Sequence, residues 1–254
     1  MNSYKFLTDD GLELVGILDE PPRDTDTCIV LCHGFRSDKD EGGNFISLSE
    51  RLTGNGFAAF RFDFRAHGES AGRQKELTIS GEAADLDAAL KFLEGRGYAM
   101  FGVVAASFSG GAVSVSVPRH LRSVKALVLL YSRLDFNGYM KRLMTDEAKS
   151  LLDLQGFIPY KGFMVGKALV SEMSRIKPTE SLKGLDIPIL FMHGDRDMSV
   201  PYSEAVRDSE TLGAKLVTIK GGNHGFRSDK EGLSEALDSI ISFFSENLSP
   251  SGKG

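Results

Sequence analysis

Apolar and polar positions change their rhythm along the chain. SYKFLT and ELVGILDE read as two short strands joined by Asp9-Asp10-Gly11, a tight-turn sequence. TCIVLCHG then runs apolar without alternation, as expected of a strand buried on both faces of a parallel sheet. From there strand and helix alternate. NFISLSERLTGNG has helical spacing and stops on glycines, and GFAAFRFDF is a strand. Ala84, Leu86, Ala89, Leu90 and Leu93 predict one helical stripe, again ending at Gly. MFGVVAAS and SVKALVLLYS are strands separated by the helix-like SGGAVSVSVPRH.

Residues from about 135 to 180 interrupt this rhythm. They are helix-like, rich in Met, Leu, Phe and Tyr, and contain Gly156, Pro159 and Gly162. Alternation resumes with IPILFMHG, YSEAVRDSETLG, AKLVTIKGG and a closing helix, GLSEALDSIISFFSENL; the tail SPSGKG is expected to fray. The whole predicts an α/β fold, a mostly parallel sheet with helices on both faces. No linker breaks residues 1–254, so one domain is expected, with an insertion or lid at about 135–180. Sheets of this kind carry their sites at the carboxyl ends of the strands.

Composition narrows the function classes. A net charge of −5, with basic residues scattered among acidic ones, argues against a nucleic-acid footprint. The chain lacks an apolar signal core at its start and a long apolar run anywhere, which predicts no membrane span and a cytoplasmic protein. Cys28 and Cys32, about 13 Å apart if extended, are too distant for a disulfide and are expected in the core. No HExxH occurs, and GFMVGK is one residue short of a P-loop. No metal and no organic cofactor is expected.

The residues that carry chemistry follow the strands. In GVVAASFSGGAV a strand runs into Ser107, with the small residues Ala105 and Ser109 two positions away on either side. A sharp strand-to-helix turn tolerates only small side chains there. Ser109 is the alternative tip, flanked by Ser107 and Gly111; Ser107 is favoured because GVVAA is already a full strand. HGF, after the first buried strand, can aim the Phe35 N–H at a developing oxyanion, and the Phe108 N–H supplies a second donor. His33 reads as a loop residue. Asp63, Arg65 and His67 in RFDFRAHGES read as a hydrogen-bonded turn bracing that loop. HGDRDMSVP offers Asp195 and Asp197, and KLVTIKGGNHGF ends in a loop carrying His224. Asp135 in YSRLDF is a second place for an acid.

Together these residues resemble the α/β-hydrolase superfamily from about residue 10 to 247. HGF resembles its oxyanion loop, DFRAHGES its D-x-R-G-x-G-x-S turn and HGDRDMSVP its acid loop, with Ala66, Ala105 and Ser109 as departures. The resemblance implies an eight-stranded sheet with a small helical lid, and the order Ser107, Asp197, His224 for nucleophile, acid and base. Asp195 is then structural. The HGF start and the insertion after the sixth strand are similar to cinnamoyl and feruloyl esterase-like acyl hydrolases.

The expected activity is serine carboxylic ester hydrolysis through an acyl-enzyme. An imidazole can take the weakly acidic serine proton and return it to the leaving group, while an aspartate fixes its tautomer. The insertion's Tyr139, Met140, Leu143, Met144, Leu151, Phe157, Tyr160, Phe163 and Met164 are expected to line a pocket for a medium or aryl acyl group, or to pack the lid. The expected partner is a small-molecule ester, with the chain a monomer or homodimer. A peptidase, amidase or thioesterase would use the same residues. A ligand-binding protein on this scaffold is a further reading.

Overall fold

The continuous apolar runs form the centre of the sheet. The computed structural model describes residues 2–226 and 229–248. Its strands are β1 (Asn2–Leu7), β2 (Glu13–Asp19), β3 (Thr27–Cys32), β4 (Ala58–Phe62), β5 (Met100–Ala106), β6 (Val124–Leu130), β7 (Phe157–Tyr160), β8 (Phe163–Gly166), β9 (Ile189–Gly194) and β10 (Lys215–Ile219). Eight of them make one sheet in the order β1-β2-β4-β3-β5-β6-β9-β10. β2 pairs antiparallel with β1 and β4, and every other neighbour is parallel. This is the expected mostly parallel, eight-stranded α/β-hydrolase sheet.

β3 shows why the core strands lack alternation. Cys28, Val30 and Cys32 point to one face, where they pack with the helices α2 (Ile79–Glu94) and α3 (Gly110–Ser116). Ile29 and Leu31 point to the other, against α1 (Asn44–Gly54) and α9 (Lys230–Asn247). Both faces are dry, so both residue sets must be apolar. The two cysteines are buried in the core. The predicted stripe of α2 delivers Leu86, Ala89, Leu90 and Leu93 to the core, and Thr78 caps its start by accepting the Gly81 N–H.

The segment between β6 and β9 differs from the all-helical expectation. It holds α4 (Phe136–Leu143), α5 (Asp146–Gln155), α6 (Lys167–Arg175) and α7 (Pro178–Leu182), but β7 and β8 form an antiparallel hairpin between α5 and α6. Gly156 stops α5 in the left-handed conformation, φ 80°. Lys161 and Gly162 then both adopt positive φ, the requirement of a two-residue type I′ hairpin turn. Helix α8 (Tyr202–Leu212) links β9 to β10. No helix among the described residues is long and apolar enough to cross a membrane. The tail SPSGKG lies outside the described residues.

Candidate active site

Four loops at the carboxyl ends of β3, β5, β9 and β10 converge on one point. Ser107 is the first residue after β5 and holds φ at 53°, a left-handed conformation that non-glycine residues adopt only under strain. Behind it, Ala105 is fully buried and in register with Cys32 and Leu129. The neighbouring strands therefore press on this corner and hold the turn sharp. Ser109 faces away. The residue is 1% exposed, and its hydroxyl donates toward the carbonyls of Cys32 and Ala106, each at 2.9 Å.

His224 follows β10 in a short turn. Its Nε2 lies 3.0 Å from Ser107 Oγ, and its Nδ1 lies 2.6 Å from Asp197 Oδ2. The other oxygen of Asp197 accepts the amides of Ser199, at 2.7 Å, and Val200, at 2.9 Å. His193 Nε2 stands 3.3 Å from Asp197 Oδ2 and 2.9 Å from the Val200 carbonyl. Burial alone would push the Asp197 carboxyl up. The bonds from His193, His224 and the Val200 amide, with the nearby His224 charge, outweigh burial and hold it well below the usual carboxylate range. Ser107, His224 and Asp197 thus form one continuous hydrogen-bonded chain.

Cross-ties hold the two loops at this spacing. Asp195 accepts the Gly221 amide at 2.7 Å, and the Arg196 amide donates to the Gly222 carbonyl at 3.0 Å. Asp195 therefore ties the acid loop to the base loop and does not touch His224. Asn44 Nδ2 donates to the Gly225 carbonyl at 2.8 Å, and the Tyr131 ring meets the imidazole edge-on, 5.0 Å between centroids. Asn44, Tyr131 and His193 support the site without having stood out in the sequence. A His at the end of β9 and a Tyr at the end of β6 were the available signals.

After β3, Gly34 passes close to the nucleophile. A Cβ at Gly34 would sit 3.0 Å from Ser107 Cβ. Its amide donates to Glu41 Oε2 at 2.8 Å. The next amide, Phe35, meets no acceptor among the described residues. Phe108 lies in the first turn of a 3-10 helix, where N–H groups have no acceptor within the helix. Both amides belong to residues lining the cavity that holds Ser107 and His224.

The turn after β4 braces this loop. His33 Nε2 accepts the Phe64 amide at 3.0 Å, His33 Nδ1 pairs with the Gly34 carbonyl, and burial followed by the neighbouring His67 pulls its pKa down to about 3. His67 Nε2 accepts the Arg36 amide at 3.2 Å. Asp63 accepts the amides of Lys39 and Glu69, and Arg65 forks onto Asp85. Ala66, where the superfamily turn has Gly, sits at φ 62°. Asp135 caps α4 through the Gly138 amide and pairs with Arg207. None of these contacts Ser107 or His224.

The cavity at the nucleophile measures about 340 Å³. Of the nine insertion residues expected around a substrate or packing the lid, Tyr139 and Tyr160 line it. Leu143 and Phe163 are instead buried in an apolar cluster with Phe108, Phe136, Ile158 and Met173, and Met140 packs against it. Phe157 pairs with Gly166 in the hairpin, and Met164 is exposed. The insertion needs a core of its own, and most of its apolar residues supply it. The cavity wall gains Arg36, Arg133 and Lys161, three cations outside the sequence expectation.

The fold and these loops have known counterparts. The family described as serine aminopeptidase, S33 matches residues 23–159, and the prolyl oligopeptidase family matches residues 137–251. The chain belongs to the serine aminopeptidase S33 family of α/β hydrolases. It is a hydrolase. Est1E from Butyrivibrio proteoclasticus, solved with ferulic acid bound, superposes with a TM-score of 0.85 at 22% identity, covering 96% of this chain and 99% of that one. Mouse α/β hydrolase domain-containing protein 10 gives 0.78 at 17% identity over 98% and 100% of the two chains. An acyl transferase of Aliivibrio fischeri is 26% identical over 83% of this hydrolase and 72% of its own length. A non-heme haloperoxidase of Rhodococcus erythropolis is 25% identical over 78% and 85%.

Proposed function

We propose that this hydrolase is a serine carboxylic ester hydrolase with Ser107 as nucleophile, His224 as general base and acid, and Asp197 as the group orienting the imidazole. The single observation that carries this reading is the chain from Ser107 Oγ to His224 Nε2 at 3.0 Å and from His224 Nδ1 to Asp197 Oδ2 at 2.6 Å. As Ser107 Oγ bonds to the ester carbonyl carbon, its proton passes to His224 Nε2. The carbonyl oxygen becomes an oxyanion and accepts the Phe35 and Phe108 amides. Collapse breaks the bond to the alcohol oxygen, which takes the proton from His224. Water then attacks the acyl-Ser107 ester, gives its proton to His224, and leaves as part of the free acid while Ser107 recovers its proton.

The cavity and its two tyrosines suit a small to medium or aryl acyl group. The segment from α4 to α7 acts as the lid over it. Est1E was solved with ferulic acid, which makes a hydroxycinnamate ester a first substrate to try. An acyl transferase among the relatives fits the same acyl-enzyme, with a different acceptor in the second step.

Labelling with a fluorophosphonate probe, mapped by mass spectrometry on the wild type and Ser107→Ala, tests the nucleophile. Labelling at Ser107 that vanishes in the variant is expected, and labelling at Ser109 would overturn the assignment. Matched 4-nitrophenyl esters and 4-nitroanilides then separate esterase from amidase. Folded protein that takes no label and turns over no ester would point to the ligand-binding reading.

A further inference from the structure

Arg133 is placed against the nucleophile by the backbone itself. Where β6 ends, the Ser132 hydroxyl donates to the Ala105 carbonyl at 2.6 Å, and the Arg133 amide donates to the Ser107 carbonyl at 2.7 Å. The side chain then runs beneath the insertion. It is only 6% exposed, its guanidinium lies 4.3 Å from the Tyr139 ring centroid, and Nη2 donates to the Ser199 carbonyl at 2.5 Å. Nη1 is buried with no hydrogen-bond partner. Arg133 lines the same cavity as Ser107 and His224.

A guanidinium in this position is unusual in its lack of compensation. Burying a charge is strongly unfavourable unless it is paired. The carboxylates nearby do not pair with this one. Asp197 is held by His224 and two amides, and Glu41 accepts the Gly34 amide. Glu204 exerts a field on Arg133 but forms no ion pair with it, and its own Oε2 is also without a partner. Burial lowers the Arg133 pKa, and the Glu204 field only partly offsets it. Two further cations, Arg36 and Lys161, stand exposed on the cavity rim. The Arg133 guanidinium in the cavity wall therefore has no paired anion.

We infer that Arg133 is a specificity-determining residue whose guanidinium receives a carboxylate on the acyl part of the substrate, so that the preferred esters are monoesters of dicarboxylic acids. This rests on the proposed esterase reading. The acyl part is the half that stays bonded to Ser107, which shares the cavity wall with Arg133, whereas the alcohol leaves. With Nη2 engaged by the Ser199 carbonyl, the N–H groups of Nη1 have no protein acceptor, and the guanidinium keeps donors for a carboxylate. Arg36 and Lys161 draw the anionic ester to the mouth.

The test compares mono-4-nitrophenyl esters of glutaric, adipic and suberic acids with 4-nitrophenyl esters of the unbranched monocarboxylic acids of equal length. At its best length the wild type should favour the anionic ester at least tenfold in kcat/KM, mainly through KM. Arg133→Met should bring that ratio close to one, and Arg133→Lys should recover part of it. Free adipate should compete better than hexanoate against the neutral ester, a measurement that needs no variant. Equal or better turnover of the neutral esters at every length, or an unchanged ratio in folded Arg133→Met, would overturn the inference and leave the esterase reading standing. If neither ester turns over and no probe labels Ser107, the esterase reading fails. Calorimetric titration of Ser107→Ala with the two adipyl and hexanoyl esters then still decides the inference: tighter binding of the anionic ester supports it, and equal binding overturns it.

Discussion

The carboxyl edge of the sheet and the segment from α4 to α7 face each other across one cavity, but different forces hold them in place. On the sheet side, each functional loop is fixed by directional bonds: Gly34 to Glu41, Asp195 to Gly221, Arg196 to Gly222, Asn44 to Gly225 and Arg133 to Ser107. On the insertion side, contacts between rings dominate. Phe163 lies 4.6 Å from Phe35 and 5.2 Å from His67, and Phe108 meets Phe136 at 5.2 Å between centroids. Hydrogen bonds fix atoms to within fractions of an ångström, whereas apolar contact fixes an element without fixing its polar atoms. Changes on the sheet side should therefore act on rate, and changes in the insertion on stability.

Asp197→Asn makes the largest expected break on the sheet side. An amide can donate to Nδ1 and so favour the wrong imidazole tautomer, and kcat should fall by about 10⁴. A loss below tenfold in single-turnover acylation would remove Asp197 from its proposed role.

Phe163→Ala is the counterpart in the insertion. It empties a ring-sized space in the cluster shared with Phe35 and His67 and should destabilise the protein by about 3–5 kcal/mol. Denaturant unfolding measures the loss. A stability close to wild type with kcat down a hundredfold would reverse the contrast between the two regions.

Gly34→Ala sharpens the contrast from the sheet side. The added methyl meets Ser107 Cβ at 3.0 Å, so the loop must shift and carry the Phe35 amide with it. A displacement of this kind should lower kcat by roughly tenfold to a hundredfold with little change in KM. An unchanged kcat would show that the Phe35 amide is not an oxyanion donor.

The same division explains what was legible in the sequence. β3, β5 and β6 read correctly because a strand dry on both faces has no choice of residue type, as Ile29 and Val30 show on opposite sides. Ser107 and Ser109 could be ranked by where the strand ends, but their separation depends on which hydroxyl meets His224, a contact over 117 positions. The insertion misled. Its Leu, Met and Phe have helical spacing on either side of Gly156, while the Lys161-Gly162 pair, the hairpin signal, sits between short aromatic runs too brief to show alternation. Leu143 and Phe163 turned inward because a segment of this size must bury a cluster of its own. Arg133 went unread because only the fold closes Tyr139 and Ser199 around it.

The smallest expected effect lies at the seam between the two regions. Glu82 on α2 is fully buried, its Oε2 has no partner, and its pKa is raised well above the usual value by burial first, then by Asp85 and Glu172, with Arg65 opposing. Glu172 belongs to α6 and accepts the Ser80 amide at 2.9 Å, so the insertion itself supplies part of this field. Between the unfolded and folded values, the unfolded chain releases a proton that the folded one keeps, and stability falls as pH rises. Asp197 has the opposite sign: its folded value is depressed, so its contribution is present above the unfolded value and lost as pH falls through the folded one. Glu82→Gln removes the seam's term and leaves that of Asp197. The variant should gain thermal stability over wild type as pH rises above the ordinary carboxylate value, by at most about 1.4 kcal/mol per pH unit, or roughly 3–5 °C in Tm at this length. A difference in Tm that stays constant from pH 5 to 8 would show that Glu82 ionises alike in both states, and that the seam between sheet and insertion carries no buried proton.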